Sequence, residues 1–167
     1  DFLQSSMACS DIMCEQNMDI GLKILESVKA SMDVVGCNTN LGIILLCVPI
    51  VETVYMDKEH KFDQNNLKIV IDNINYKQTK SIYKAINLAN AGGMSSKEEF
   101  DLKSNKSDNF TLFEAMNFAK TYDYIASEYT NYFYNIINNI SLNWRNYFKL
   151  MNNDEYATTA TFLKQIA

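Results

Sequence analysis

Two carboxylates and one polar loop carry most of the chemistry that this chain of 167 residues offers. Asp123 stands one position from an apolar stripe and is followed by the small residues Ala126 and Ser127. A carboxylate in that setting can take a proton from a hydroxyl, or hold Mg²⁺ together with triphosphate oxygens, the usual way magnesium is bound. Asp101 is the second catalytic candidate, because it follows Gly92-Gly93 in Asn90-Ala91-Gly92-Gly93-Met94-Ser95-Ser96. Paired glycines before serines usually make a turn, and in some proteins they let backbone amides wrap an anion. The polar loop is Gly36-Cys37-Asn38-Thr39-Asn40-Leu41-Gly42, wedged between two apolar segments. Asn38, Thr39 and Asn40 offer donors and acceptors there, and Gly42 permits close backbone approach at a helix N-terminus, a place that favours anions. Together they form a candidate nucleotide or phosphate site. Ordinary helix punctuation explains the same residues, with Gly36 closing one helix and Asn38 or Thr39 capping the next. Lone carboxylates, likewise, are mostly solvated charges.

Other chemistries find little support. His60 is the sole histidine and lies in a charged connector, and there is no Gly-x-Ser-x-Gly, Walker or dinucleotide fingerprint. The cysteines, Cys9, Cys14, Cys37 and Cys47, form no Cys-x-x-Cys pair and none is near His60, which argues against zinc. Cys9, Cys14 and Cys47 fall in apolar helical segments, where buried thiols in a reducing cytoplasm are expected. A net charge of −5, with Arg145 the only arginine, speaks against an extended nucleic-acid surface. The longest apolar run, Ile43 to Val51, is shorter than the roughly 20 residues a bilayer requires, and with no basic n-region ahead of it a cleavable signal is not expected. The expected partners are therefore neither nucleic acid nor membrane.

The elements that must position these residues read as helices throughout. The pattern predicts helices over Phe2 to Gln16, Ile20 to Val35 and about Asn40 to Met56, with Pro49 kinking or splitting the third. A polar connection follows from Asp57 to Asn66. Leu67 to Ile74 fits strand or helix, and is read as helix because a lone strand has nothing to pair with. Tyr76 to Asn90 shows Ile82, Tyr83, Ile86 and Ala89 on one face. Thr111-Leu112-Phe113-Glu114 fits a capping box. Beyond it Tyr122, Ile125, Ala126, Tyr129, Phe133, Ile136, Ile137 and Ile140 predict one long helix of about five turns. Further helices are expected from Ser141 or Asn143, carrying Trp144, Tyr147, Phe148 and Met151, and over Asp154 to Ala167. The fold class is all-α, a compact bundle of about seven to nine helices in one domain. Aromatic faces at Tyr129 to Tyr134 and Trp144 to Phe148 could serve a homodimer or the core.

The loops taken in order point to a family. Gly36-Cys37-Asn38-Thr39-Asn40-Leu41-Gly42-Ile43-Ile44-Leu45-Leu46, then Ala91-Gly92-Gly93-Met94, then Thr111-Leu112-Phe113-Glu114-Ala115-Met116, then Asp123-Tyr124-Ile125-Ala126 with Tyr129 resemble successive blocks of the triphosphoribosyl-dephospho-CoA synthase family. The Asn-Thr-Asn-Leu-Gly block is the most specific of them. The resemblance implies an all-helical enzyme that moves the triphosphoribosyl group of ATP to dephospho-CoA, or a related acceptor, and releases adenine, with Mg²⁺ as cofactor. It places Asn38, Thr39, Asn40 and Gly42 at the nucleotide, Gly92 and Gly93 in a phosphate-side loop, and Asp123 at metal or catalysis. The chain departs from the family where the larger branch has Asn-Thr-His-Lys-Gly, at Asn40 and Leu41, and where an arginine precedes the aspartate, at Tyr122. It also lacks an early Lys-Pro-Gly-Asn segment, so residues 1–167 are expected to be an interior or shortened version of a longer domain. The competing expectation is a noncatalytic helical domain that binds a nucleotide or a partner protein. The enzyme reading requires Asn38 and Asp123 to line one shared cleft.

Overall fold

Polar caps set most of the helix boundaries. The computed structural model describes residues 2–89 and 110–140, which form seven α-helices and one π-helical segment with no strand among them. Helix α1 is Phe2–Met13. Asp19 opens α2 (Ile20–Val35) by accepting the Leu22 N–H, and Gly36 closes it at φ 73°, returning its own N–H to the Met32 carbonyl at 2.7 Å. That left-handed turn suits glycine and ends the helix as predicted. Helix α3 is Leu41–Met56. Asp63 caps α4 (Gln64–Asp72) through the Asn65 and Asn66 amides, so this helix begins three residues earlier than the sequence pattern predicts. Reciprocal capping boxes start α5 (Tyr76–Leu88, Asn75 with Gln78) and α6 (Leu112–Ala119, Thr111 with Glu114). Asp123 caps α7 (Tyr124–Thr130), and a π-helical segment spans Ile136–Ile140.

Helix α2 is the hub, packing on α1, α3 and α5, while α3 also meets α1, α4 and α7, and α6 packs on α7. Ile24, Val28, Ile44, Val48, Leu67 and Ile82 are fully buried where these helices meet. The α2–α5 contact depends on Gly21, where an added Cβ would stand 2.6 Å from the Gln78 carbonyl oxygen. Only a glycine lets the two backbones approach so closely. Lys23, also on α2, is almost fully buried, ion-paired with Glu52 of α3 and placed 5.7 Å from the Tyr55 ring centroid.

Of the two outcomes expected at Pro49, a split is ruled out, since α3 runs unbroken through it. A proline at 49 has no N–H for the Leu45 carbonyl, and the Tyr129 hydroxyl donates to that carbonyl instead, at 2.6 Å. The single helix predicted from Tyr122 to Ile140 is broken: Tyr132 and Phe133 adopt φ of 55° and 59°, and Tyr122 is exposed rather than part of the core. Glu128, fully buried, accepts hydrogen bonds from Asn135 Nδ2 (3.0 Å) and the Ile136 N–H (3.3 Å) and so caps the segment beyond the break. Tyr132 docks on α4, its hydroxyl donating to Asp72 Oδ1 (3.1 Å), its ring 5.2 Å from Lys68 Nζ and stacked on Phe113, its carbonyl accepting from Gln64. These contacts offset the cost of left-handed backbone, about 1–2 kcal/mol per residue.

All four cysteines are free; Cys9 is buried, but Cys14 is exposed because α1 ends just before it. No helix among the described residues is long and apolar enough to cross a membrane. The helices expected beyond residue 140, with Trp144, Tyr147, Phe148 and Met151, lie outside the described residues.

Candidate functional site

A cavity of about 250 Å³ opens where the start of α3 meets α5, α6 and the α6–α7 junction. Its walls are mostly hydrocarbon: Leu41 and Leu45 from α3, Ile86 from α5, Ala115, Met116 and Ala119 from α6, Ile125 and Ala126 from α7. Three lining residues have polar side chains, Asn38, Tyr83 and Asp123. Asn38 and Asp123, 85 positions apart by their numbering, thus line one cleft, and Gly42 joins them.

Local capping chemistry places each of them. Asn38 Oδ1 accepts the Leu41 N–H at 3.1 Å, doing for α3 what its N-cap residue, Asn40, does not do with its side chain. The amides of Gly42 and Ile43 then have no partner among the described residues, at the positive end of a helix of 16 residues. Packing does not demand the glycine at 42, since an added Cβ would lie 3.6 Å from Ile125 Cδ1, an ordinary contact. Asp123 is half-buried, and its Oδ1 accepts the Ala126 N–H at 2.9 Å. That cap uses one carboxylate oxygen and leaves Oδ2 outside it.

Thr39 and Asn40 do not line the cavity. Their side chains turn behind the loop to α1, Thr39 Oγ1 donating to Ser5 Oγ at 3.0 Å and Asn40 Nδ2 to the same atom at 2.8 Å. Ser31 adds a contact of 3.5 Å to Thr39. Ser5 and Asn40 are buried, so this cluster anchors the loop rather than presenting it. Asn40 Oδ1 is buried there without a partner among the described residues. Gly92, Gly93 and Asp101 lie outside the described residues.

Tyr83 escapes a reading based on periodicity, because its position on α5 marks it only as one more residue of the apolar face. Burial, with the Glu114 charge nearby, pushes its phenol up to about 12. Glu114 itself is held below the usual carboxylate range by the Thr111 N–H and hydroxyl, which bond its Oε2 at 2.8 and 3.0 Å. Among the described residues no lysine or arginine lines the cavity, and no three His, Cys, Asp or Glu side chains cluster as a metal site.

A second cavity of similar size lies at the far end of α3, lined by Asp19, Glu52, Asn73 and Gln78 among others. Its Glu52 is ion-paired with Lys23, and Asp19 Oδ1 accepts the Leu22 N–H, a cap that uses one oxygen as at Asp123. It holds none of the residues singled out in the sequence.

Comparison with curated proteins finds no match, and comparison with solved structures finds none either. The sequence profile of the CitG family, described as ATP:dephospho-CoA triphosphoribosyl transferase, matches residues 1–167. Over its whole length, therefore, the chain belongs to the ATP:dephospho-CoA triphosphoribosyl transferase family.

Proposed function

We propose that the chain transfers the triphosphoribosyl group of ATP to dephospho-CoA and releases adenine, and that it does so in the cavity between α3, α5, α6 and α7. The observation that carries this reading is the meeting of Asn38, Gly42 and Asp123 in one cleft at a helix N-terminus. The apolar walls from Ile86, Ala115, Met116 and Ala119 suit a flat base, and the Gly42 amide at the start of α3 suits a phosphate oxygen. In the transfer the C1′–N9 bond breaks with oxocarbenium character and a ribose hydroxyl of the acceptor forms the new C1′–O bond. Asp123 takes the hydroxyl proton on the oxygen its cap leaves over, and adenine leaves with the electron pair of the broken bond and gains a proton.

Mg²⁺, when bound, would neutralise triphosphate oxygens. The residues fit a metal that arrives with the nucleotide: one carboxylate, Asp123, has an oxygen outside its cap, and phosphates and water complete such a shell. Asp123 has one spare oxygen for two roles, metal ligand or base, and Asp123→Asn separates them. As base, its loss lowers kcat by about 10²–10⁴-fold at saturating Mg²⁺. As ligand, its loss raises the Mg²⁺ concentration needed.

The test is chromatographic detection of adenine from ATP, Mg²⁺ and dephospho-CoA, with wild type active and Asp123→Asn impaired. A wild-type protein that yields no adenine overturns the reading. The second reading, a noncatalytic nucleotide-binding domain, draws on the caps: Asn38 and Asp123 both serve helix ends, and no cationic side chain lines the cavity among the described residues. Thermal stabilisation by ATP without adenine release would select it.

A further inference from the structure

We infer that Tyr83 is a catalytic residue of this transfer, its hydroxyl donating a hydrogen bond to the departing base. The inference rests on the transferase reading above and assigns a group that the reading leaves open. When the C1′–N9 bond breaks, its electron pair passes to the purine ring and spreads over the ring nitrogens. A donor aimed at that ring stabilises the charge as it develops. Of the three polar side chains around the cavity, Asp123 as carboxylate only accepts, and Asn38, whose Oδ1 accepts the Leu41 N–H, stands with its Nδ2 donor at the start of α3, beside the Gly42 amide suited to phosphate. Tyr83 stands on another wall, that of α5, next to the hydrocarbon surface of Ile86, where a base would lie.

The helix that carries Tyr83 is firmly held. Its capping box starts it at Tyr76, and Thr79, Ile82, Ala85 and Ile86 are buried along it. Tyr83 itself packs against the core and lines the cavity. Burial and the Glu114 charge keep the phenol protonated well above neutral pH, so its O–H is available to donate. It need not surrender its proton. The net proton moves from the acceptor hydroxyl, through Asp123 and solvent water, to adenine.

The experiment compares wild type and Tyr83→Phe with ATP and with 2-fluoro-ATP, whose more acidic base leaves more readily. Loss of one such donor lowers kcat for ATP by about 10²-fold, with KM for ATP and the thermal midpoint unchanged, and the deficit shrinks several-fold, by roughly the extent that the better leaving group relieves the need for a donor. A merely structural tyrosine would not give that dependence on the leaving base. Wild-type kcat in Tyr83→Phe, or the same loss with both nucleotides, overturns the inference and leaves the transferase reading standing. No adenine from wild type with either nucleotide overturns both.

Discussion

The Tyr129 hydroxyl donates to the Leu45 carbonyl at 2.6 Å, across 84 positions of sequence, in a buried setting between α7 and α3. Leu45 is the residue whose carbonyl Pro49 cannot serve, so the proline and the tyrosine are complementary halves of one device. Leu45 also lines the cavity, and Asp123 caps the helix that carries Tyr129. The bond therefore fixes the distance between the loop side and the carboxylate side of the cleft.

Tyr129→Phe leaves that carbonyl buried without a donor, and the expected loss of stability is about 1–3 kcal/mol in urea unfolding. In a Pro49→Ala background the helix can supply its own N–H to Leu45, and the cost of Tyr129→Phe should shrink. Equal costs in both backgrounds would show that the proline does not create the need for the tyrosine.

Gly21→Ala places a Cβ 2.6 Å from the Gln78 carbonyl oxygen and 2.7 Å from its Cα, which are backbone atoms that cannot step aside alone. Helices α2 and α5 must separate, at an expected cost of about 1–3 kcal/mol. Alanine's better helix propensity returns about 1 kcal/mol. Thermal denaturation should show net destabilisation, and a more stable variant would mean that the close approach is not as described.

Removal of Glu52 strands the buried Lys23 ammonium. Glu52→Ala should destabilise by about 3–5 kcal/mol, whereas the double variant Lys23→Met/Glu52→Ala should recover most of the loss, because no charge is left unpaired. Chemical unfolding of both variants and wild type checks this. A double variant as unstable as Glu52→Ala would contradict it.

The Glu114 carboxyl is depressed by hydrogen bonds from the Thr111 N–H and hydroxyl. A carboxyl whose folded pKa lies below its unfolded value adds stability above the unfolded pKa, near 4.3 for glutamate, and loses it as pH falls through the folded pKa. Part of the acid destabilisation of the protein should therefore vanish in Glu114→Gln, which keeps a side-chain acceptor for the capping box but does not titrate. Identical stability profiles for variant and wild type below about pH 4 would remove Glu114 as a contributor.

Where the deciding interaction is local, the sequence is legible. Gly36 ends α2, and Thr111 with Glu114 starts α6, because each of these caps satisfies amides or carbonyls within a turn of itself. Asn38 stands out for the same reason, as a cap candidate beside an apolar run, whereas Asp123, expected inside one long helix, is instead the residue that opens α7. The unbroken α3 and the break at Tyr132 and Phe133 were not legible, since the partners that decide them, Tyr129 for the first and Gln64, Lys68 and Asp72 for the second, come from distant helices.

The all-helical class, most helix starts and the residues with chemical potential follow from the amino-acid order alone, because caps and periodicity act over three or four positions. Tertiary structure alone decided which of those residues face the cavity. Asn38, Gly42 and Asp123 line it, while Thr39 and Asn40 turn to Ser5 because that buried hydroxyl, 34 and 35 positions away, offers hydrogen bonds that the adjacent chain does not. It also decided that Tyr83, one aromatic among several on apolar helix faces, meets the cavity, since a side chain's surroundings depend on which helices pack beside it.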